Sequence, residues 1–149
     1  MIMERQIKFR GKTVPDGRWV YGYYVVMENE TKTVTRHAIM DLLDKENQYI
    51  KDGKSYHMSV SVVEAETVGQ FTGLHDKNGK DIYEGDIVHL DAWEPFAMQI
   101  AFIEGAFCLA NADGYYLGDI HYIHHAAVEQ CTILGNIHEN PELLSKCDL

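Results

Sequence analysis

The residues best suited to chemistry lie in three stretches. The first, GLHDKNGKD at 73–81, has the ingredients of a phosphate loop: two glycines and a following lysine. A phosphate loop needs four residues between its glycines, then Gly-Lys and a Ser or Thr whose hydroxyl binds magnesium. Here five residues intervene, and Asp81 stands where that hydroxyl belongs. A carboxylate there would repel the phosphates. The loop should also open a helix, whose first amides cradle phosphate, yet DIYEGDIV reads as a strand. Asn78-Gly79 is instead a preferred centre for a type I′ hairpin turn. The stretch is expected to be a hairpin tip and no nucleotide site.

The second stretch is HYIHH, with His121, His124 and His125. On a helix the three would share one side and could hold a metal; on a strand only His121 and His125 would. His89 and Asp91 would share a strand face. No H-E-x-x-H or paired-cysteine spacing accompanies them. No metal or other cofactor is expected, and the three histidines stand as weak metal candidates for an alternative reading as a metal-dependent enzyme. Nucleophilic chemistry has less support. There is no G-x-S-x-G elbow. Cys108 and Cys131 sit in apolar strand patterns and read as small core residues, while Cys147 is expected to be exposed.

The third stretch is WVYGYY, 19–24. Trp19, Tyr21, Tyr23 and Val25 would share one strand face beside a basic N-terminal segment that includes Arg10. Such a face can anchor a protein interface or stack single-stranded bases. The candidate partner-binding residues are Trp19, Tyr21, Tyr23 and Arg10, with His75 and Tyr83 from the central block.

The elements that must position these residues are mostly strands. Ile7 and Phe9 alternate with Lys8 and Arg10, PDG at 15–17 is turn chemistry, and WVYGYYVVM follows, which together make an N-terminal hairpin. Residues 28–56 are poorly defined: RHAIMDLLDK fits one short helix or a strand and a loop. In HMSVSVV, 57–63, Met58, Val60 and Val62 face one way. Thr72-Gly73 is expected to break an incoming strand, with Tyr83 covering a core edge. Glu84-Gly85-Asp86 should make a tight turn in which Asp86 bonds backbone amides. MQIAFIEGAFCLA, 98–110, reads as a hairpin turning at Glu104-Gly105, and CTILGNI, 131–137, as a late strand. Asn140 caps, and Pro141 opens, one or two helical turns. Short strands with frequent turns predict a compact mainly β domain, an antiparallel sheet that is partly barrel-like with short helical additions, over residues 1–149.

Bulk properties narrow the function further. With 149 residues the chain can bury a real core. No apolar run reaches the length of a membrane span, and MIMERQIKFR has no apolar segment of the signal-peptide kind. Three cysteines without paired spacing fit a reducing compartment, so a cytoplasmic location and no membrane contact are expected. The net charge is −10, which disfavours general nucleic-acid binding. Residues 1–18 nevertheless hold five basic and two acidic residues, +3, leaving −13 for the rest. The simplest account of that basic edge is a solvated strand face with its Lys and Arg side chains outward.

The segments IKFRGK, WVYGYYV, ETVGQFTGLHDKNGKDIYEGDIV and ILGNIHENPELL, in this order, resemble the YopX protein family, with 66–90 as the core block. The resemblance covers both ends and the middle of the chain; residues 28–56 add nothing to it. It implies a phage- or prophage-encoded, mainly β protein of the bacterial host's cytoplasm, assembled into homo-oligomers. It carries no established activity. The resulting expectation is a non-enzymatic accessory protein that binds itself and a host or phage protein. Single-stranded nucleic-acid binding through the aromatic and basic N-terminal hairpin is the alternative.

Overall fold

The computed structural model describes residues 6–41, 59–90, 97–113, 116–119 and 130–144. Met58, Asp91, His121, His124, His125 and Cys147 lie outside the described residues. The described residues form antiparallel β-structure in two compact units, residues 6–70 and 71–149.

The N-terminal unit holds β1 (Phe9–Lys12), β2 (Trp19–Glu28), β3 (Thr35–Asp41), β4 (Ser59–Val62), and the start of β5 (Gly69–His75). The order is β4-β3-β2-β1-β5. The expected N-terminal hairpin is present as β1 and β2, in register from Phe9↔Gly22 to Lys12↔Trp19. RHAIMD is strand β3, which settles the helix-or-strand choice there. Strand β2 changes partner midway: Trp19–Gly22 pairs with β1, and Tyr23–Glu28 with β3. Gly22 stands where the partner changes, and no side chain fits there: a Cβ would lie 2.0 Å from the Met40 carbonyl oxygen.

This sheet also closes on itself in part. Thr13 bridges Val63. Val14 N–H donates to the Val62 carbonyl (3.1 Å), and Glu64 N–H to the Lys12 carbonyl (2.9 Å). The far ends of β1 and β4 are thereby joined, and the barrel-like character rests on this closure. Val20, Ile39 and Val63 fill the interior, with Phe9, Tyr24 and Val68 packed against them. The buried Thr67 accepts the Lys12 amide (2.8 Å) and donates to the Glu64 carbonyl (2.7 Å), so its hydroxyl is satisfied within the chain.

The C-terminal unit continues β5 and adds β6 (Asp81–Tyr83), β7 (Asp86–His89), β8 (Ala97–Ile103), β9 (Ala106–Ala110), β10 (Tyr116–Asp119) and β11 (Thr132–Asn136). Its five-stranded sheet runs β10-β9-β8-β7-β11. Val88, Leu90, Met98, Ile100 and Leu109 form the centre of its core, with Leu74 and Ile82 from the β5–β6 hairpin. Asp86 behaves as expected: its buried carboxylate accepts the Tyr83 amide at 2.8 Å. Cys108 and Cys131 are buried free thiols.

Three local expectations need correction. Thr72-Gly73 does not end the strand; β5 runs on to His75, with a register shift between Phe71 and His75. Gly73 takes φ +87°, and the Thr72 hydroxyl donates to Ile82 carbonyl (2.9 Å) while accepting the Leu74 amide (3.2 Å). The irregularity is bonded internally, so pairing resumes. Second, Pro141 opens a single 3-10 turn, Pro141–Leu143, with Asn140 at the N-cap position as expected, but Asn140 makes no side-chain capping hydrogen bond. Its side chain turns back to accept the Asn136 amide at 3.3 Å.

The third correction concerns turn types. In the β5–β6 loop, Asp76 N–H donates to the Lys80 carbonyl (2.8 Å) and Gly79 N–H to the Asp76 carbonyl (2.9 Å). The positive φ falls on Gly79, +79°, without one on Asn78. That is a three-residue loop ending in a left-handed glycine, not a type I′ turn. The type I′ signature belongs to Glu104-Gly105, whose φ values are +50° and +85°. Glutamate is a poor residue for the first position, since its Cβ crowds the backbone there. Glu104→Asn is expected to raise stability by about 0.5 kcal/mol, read as a higher midpoint in thermal melts; a lower midpoint would mean that the glutamate side chain contributes more than its backbone strain costs.

Candidate partner-binding surface

Cross-strand register places Arg10 opposite Tyr21, and Lys12 opposite Trp19, on one side of the β1–β2 pair. The Arg10 guanidinium carbon lies 4.7 Å from the Trp19 ring centroid and the Lys12 ammonium 5.8 Å. Cation–π attraction of this kind is worth about 0.5–2 kcal/mol, the higher end when desolvated. Arg10 is 6% exposed. The expectation of an outward, solvated Arg10 is therefore corrected: it is a buried residue that helps hold Trp19. Arg18 does face water, beside Asp16 at 3.7 Å. Asp16 also accepts the Thr13 hydroxyl, the main reason its carboxyl is held below the usual range; the Arg18 amide and charge add to that.

Tyr21 and Tyr23 are 42% and 52% exposed. They follow one another on the same side of β2, with Trp19 half-buried next to them. These three, with the buried Arg10 against Trp19, are the part of the expected binding set that lies together on this strand pair. The sequence reading missed other residues on this side. Val60 and Val62 do share a face, as their alternation implied, but that face is exposed, while Ser59 and Ser61 on the other side are half-buried. Met27 and Val34 are exposed as well. The signal was present as period-two alternation, which says which residues share a side but not which side meets water.

His75 and Tyr83 belong to the other unit. His75 Nε2 lies 3.0 Å from Asp81 Oδ1, and its ring meets Phe71 edge-on at 5.6 Å. The Tyr83 ring packs on Phe71 at 5.6 Å and the residue is 3% exposed. Tyr83 thus has almost no surface to offer a partner and serves the core.

The stretch that looked like a phosphate loop is organised by Asp76. Its Oδ1 accepts the amides of Asn78 (2.8 Å) and Lys80 (2.9 Å), and Oδ2 that of Ile133 (3.4 Å). Lys77 N–H donates to the Cys131 carbonyl at 3.0 Å. The amides that a phosphate would need are already used by a carboxylate of the same chain. Burial pushes the Asp76 carboxyl up, but the Lys80, Asn78 and Ile133 amides and the Lys80 charge outweigh it and hold it low.

The histidine stretch 121–125 lies outside the described residues. Among the described residues no group of three His, Cys, Asp or Glu is placed to hold a metal ion, and no helix is long and apolar enough to cross a membrane. The Cys131 thiol is pushed up to about 12, chiefly by burial and further by the Asp76 and Asp86 carboxylates. Thiolate is the reacting form, so Cys131 is expected to resist alkylation in native protein at pH 8 and to react fully in denaturant, as peptide mapping by mass spectrometry would show. Rapid native labelling would mean the β11 end opens readily.

The architecture defines a mainly β protein of antiparallel sheets, with 3-10 turns as the helical structure among its described residues. The profile of the family described as YopX protein matches residues 8–145, and the chain belongs to that family. The fold is shared by a solved structure, the crystal structure of protein EF1440 from Enterococcus faecalis. The two are 22% identical with a TM-score of 0.55, covering 95% of this chain and all of that one. No curated protein matches the chain.

Proposed function

We propose that the protein is a non-enzymatic, phage- or prophage-encoded accessory protein of the host cytoplasm. It acts as a homo-oligomer that binds a host or phage protein through the Trp19–Tyr21–Tyr23 surface. One observation carries this reading: two tyrosines stand exposed side by side on β2, next to a tryptophan held by Arg10 and Lys12. Rigid aromatic side chains of this kind give large contact area at small entropic cost, and they dominate protein interfaces.

The test is capture from nuclease-treated lysate of phage-bearing cells, with wild type and a Tyr21→Ala/Tyr23→Ala variant side by side. The wild type is expected to recover one protein near stoichiometry, and the variant to lose it. Equal recovery by both would remove the aromatic surface from the account. The second reading, single-stranded nucleic-acid binding, draws on the same tyrosines with Lys12 and Arg18 close in sequence. It predicts oligonucleotide affinity that falls steeply with salt, and absence of binding at low salt would dispose of it.

A further inference from the structure

The N-terminal sheet turns an apolar face outward, and it extends well beyond the aromatic residues. Residues directly opposite in an antiparallel ladder point to the same side. Tyr23, Met40 and Val60 therefore form one row across β2, β3 and β4, and Val25, Ala38 and Val62 a second, in which the small Ala38 is covered and Val62 exposed. Met27 and Arg36 begin a third. On this side Tyr21, Tyr23, Met27, Val34, Val60 and Val62 are all exposed. A sheet with one solvated face ordinarily alternates so that polar residues meet water. Here β4 does the reverse, with its serines half-buried and its valines exposed. Contiguous apolar surface of this sort marks an interaction site.

Among the described residues of β1 to β4, the charges on this face have one sign. Arg36 is exposed on it, and Lys12 lies half-buried over Trp19. The carboxylates of β1 to β4 among the described residues are Glu28 and Asp41, and both alternate to the opposite side. This occurs in a chain of net charge −10. We propose that the face docks a polypeptide segment whose apolar side chains are flanked by carboxylates. The proposal rests on the partner-protein reading above and gives that partner its chemistry. A second copy stacked face to face would bring together two faces whose described strand residues carry positive charge alone. Nucleic acid and anionic lipid would also meet the cations, but they carry a far denser negative charge than a few flanking carboxylates, and the acidic remainder of the chain repels them more strongly.

The test uses the full chain and fluorescence anisotropy with three labelled peptides: alternating Val and Glu, alternating Val and Lys, and alternating Ser and Glu. The Val–Glu peptide is expected to bind about tenfold tighter than the other two. Arg36→Glu should erase its advantage over the Val–Lys peptide. Val60→Thr/Val62→Thr keeps the β-branched shape on an exposed edge, and should weaken Val–Glu binding while leaving the melting temperature in place. Should the threonine pair disturb folding, Arg36→Glu alone still decides the charge preference. Equal affinity for the three peptides would overturn the proposal. So would indifference to Arg36→Glu, or preferential binding of oligothymidylate or anionic vesicles in a manner the same variants abolish. A drop in sedimenting mass caused by the threonine pair would assign the face to a second copy and would overturn it too. If the tyrosine variant loses its captured protein while the peptides show no charge preference, the partner reading stands and this inference falls. If capture is also unaffected, both fall.

Discussion

Gly22→Ala is expected to destabilise the N-terminal unit by about 3 kcal/mol or more. The added Cβ would lie 2.0 Å from the Met40 carbonyl oxygen, 2.8 Å from its carbon and 3.1 Å from the Asp41 Cα. These are backbone atoms of β3 and cannot rotate aside as a side chain would. Relief requires β2 and β3 to separate at the point where β2 passes from one partner to the other. Gly79→Ala is the control. It has nothing within 4 Å of its Cβ position and φ of +79°, so it should cost only the left-handed backbone penalty, about 1–2 kcal/mol. Urea melts of both variants separate close approach from lost backbone freedom. A Gly22→Ala midpoint equal to that of the control would mean the strands are not in this contact.

Asp76→Ala is expected to cost about 2–3 kcal/mol, and Asp76→Asn less. The alanine leaves three amides without their shared acceptor; a hydrogen bond to a charged group is worth about 1.5–3 kcal/mol, and water at the exposed loop recovers part of it. The pH dependence follows from the depressed carboxyl. A group whose folded pKa lies below its unfolded value adds stability that is present above the unfolded value, about 3.9. That stability is lost as the pH falls through the lower folded value. The gap between wild type and Asp76→Asn should therefore be constant near neutrality and shrink in acid, below about pH 4. A gap that is flat down to pH 2 would show that the asparagine effect is one of shape, not charge.

Much of the fold could be read from residue order. The β8–β9 hairpin has clean alternation around Glu104-Gly105, and the β1–β2 hairpin has PDG between two alternating runs. What failed were choices between similar local signals. Asn78-Gly79 is a better type I′ pair than Glu104-Gly105 by propensity. Yet the loop geometry at 77–79 is set by Asp76, whose partner Ile133 is distant in sequence. Asn140 looks like a helix cap, but Gly135 lies so near it that a Cβ would fall 2.4 Å from its Oδ1, and its side chain is drawn to Asn136. For the surface, alternation grouped Trp19 with Tyr21 and Tyr23, and Val60 with Val62. It could not show that β4 presents its valines to water, or that Arg10 lies under cover. Those depend on which side of each strand the interior occupies. Burial likewise takes Tyr83 out of the partner-binding set, and that too is a tertiary fact. The histidines 121, 124 and 125 lie outside the described residues.

The bridge that joins Thr13 to Val63 has a kinetic consequence. The β2–β3 ladder is local, and its tip is pre-formed: the Asn29 side chain accepts the Thr33 and Val34 amides and donates to the hydroxyls of Thr31 and Thr33. Closing residues 13 and 63 is a long-range event whose chain-entropy cost must be met before its few hydrogen bonds return anything. The ribbon should therefore form early on the folding path and the seam last. Substitutions that weaken the seam should accelerate unfolding while leaving the refolding rate almost unchanged, giving φ-values near zero at Val63 and higher ones at Ile39. The small barrel would then open at this seam first.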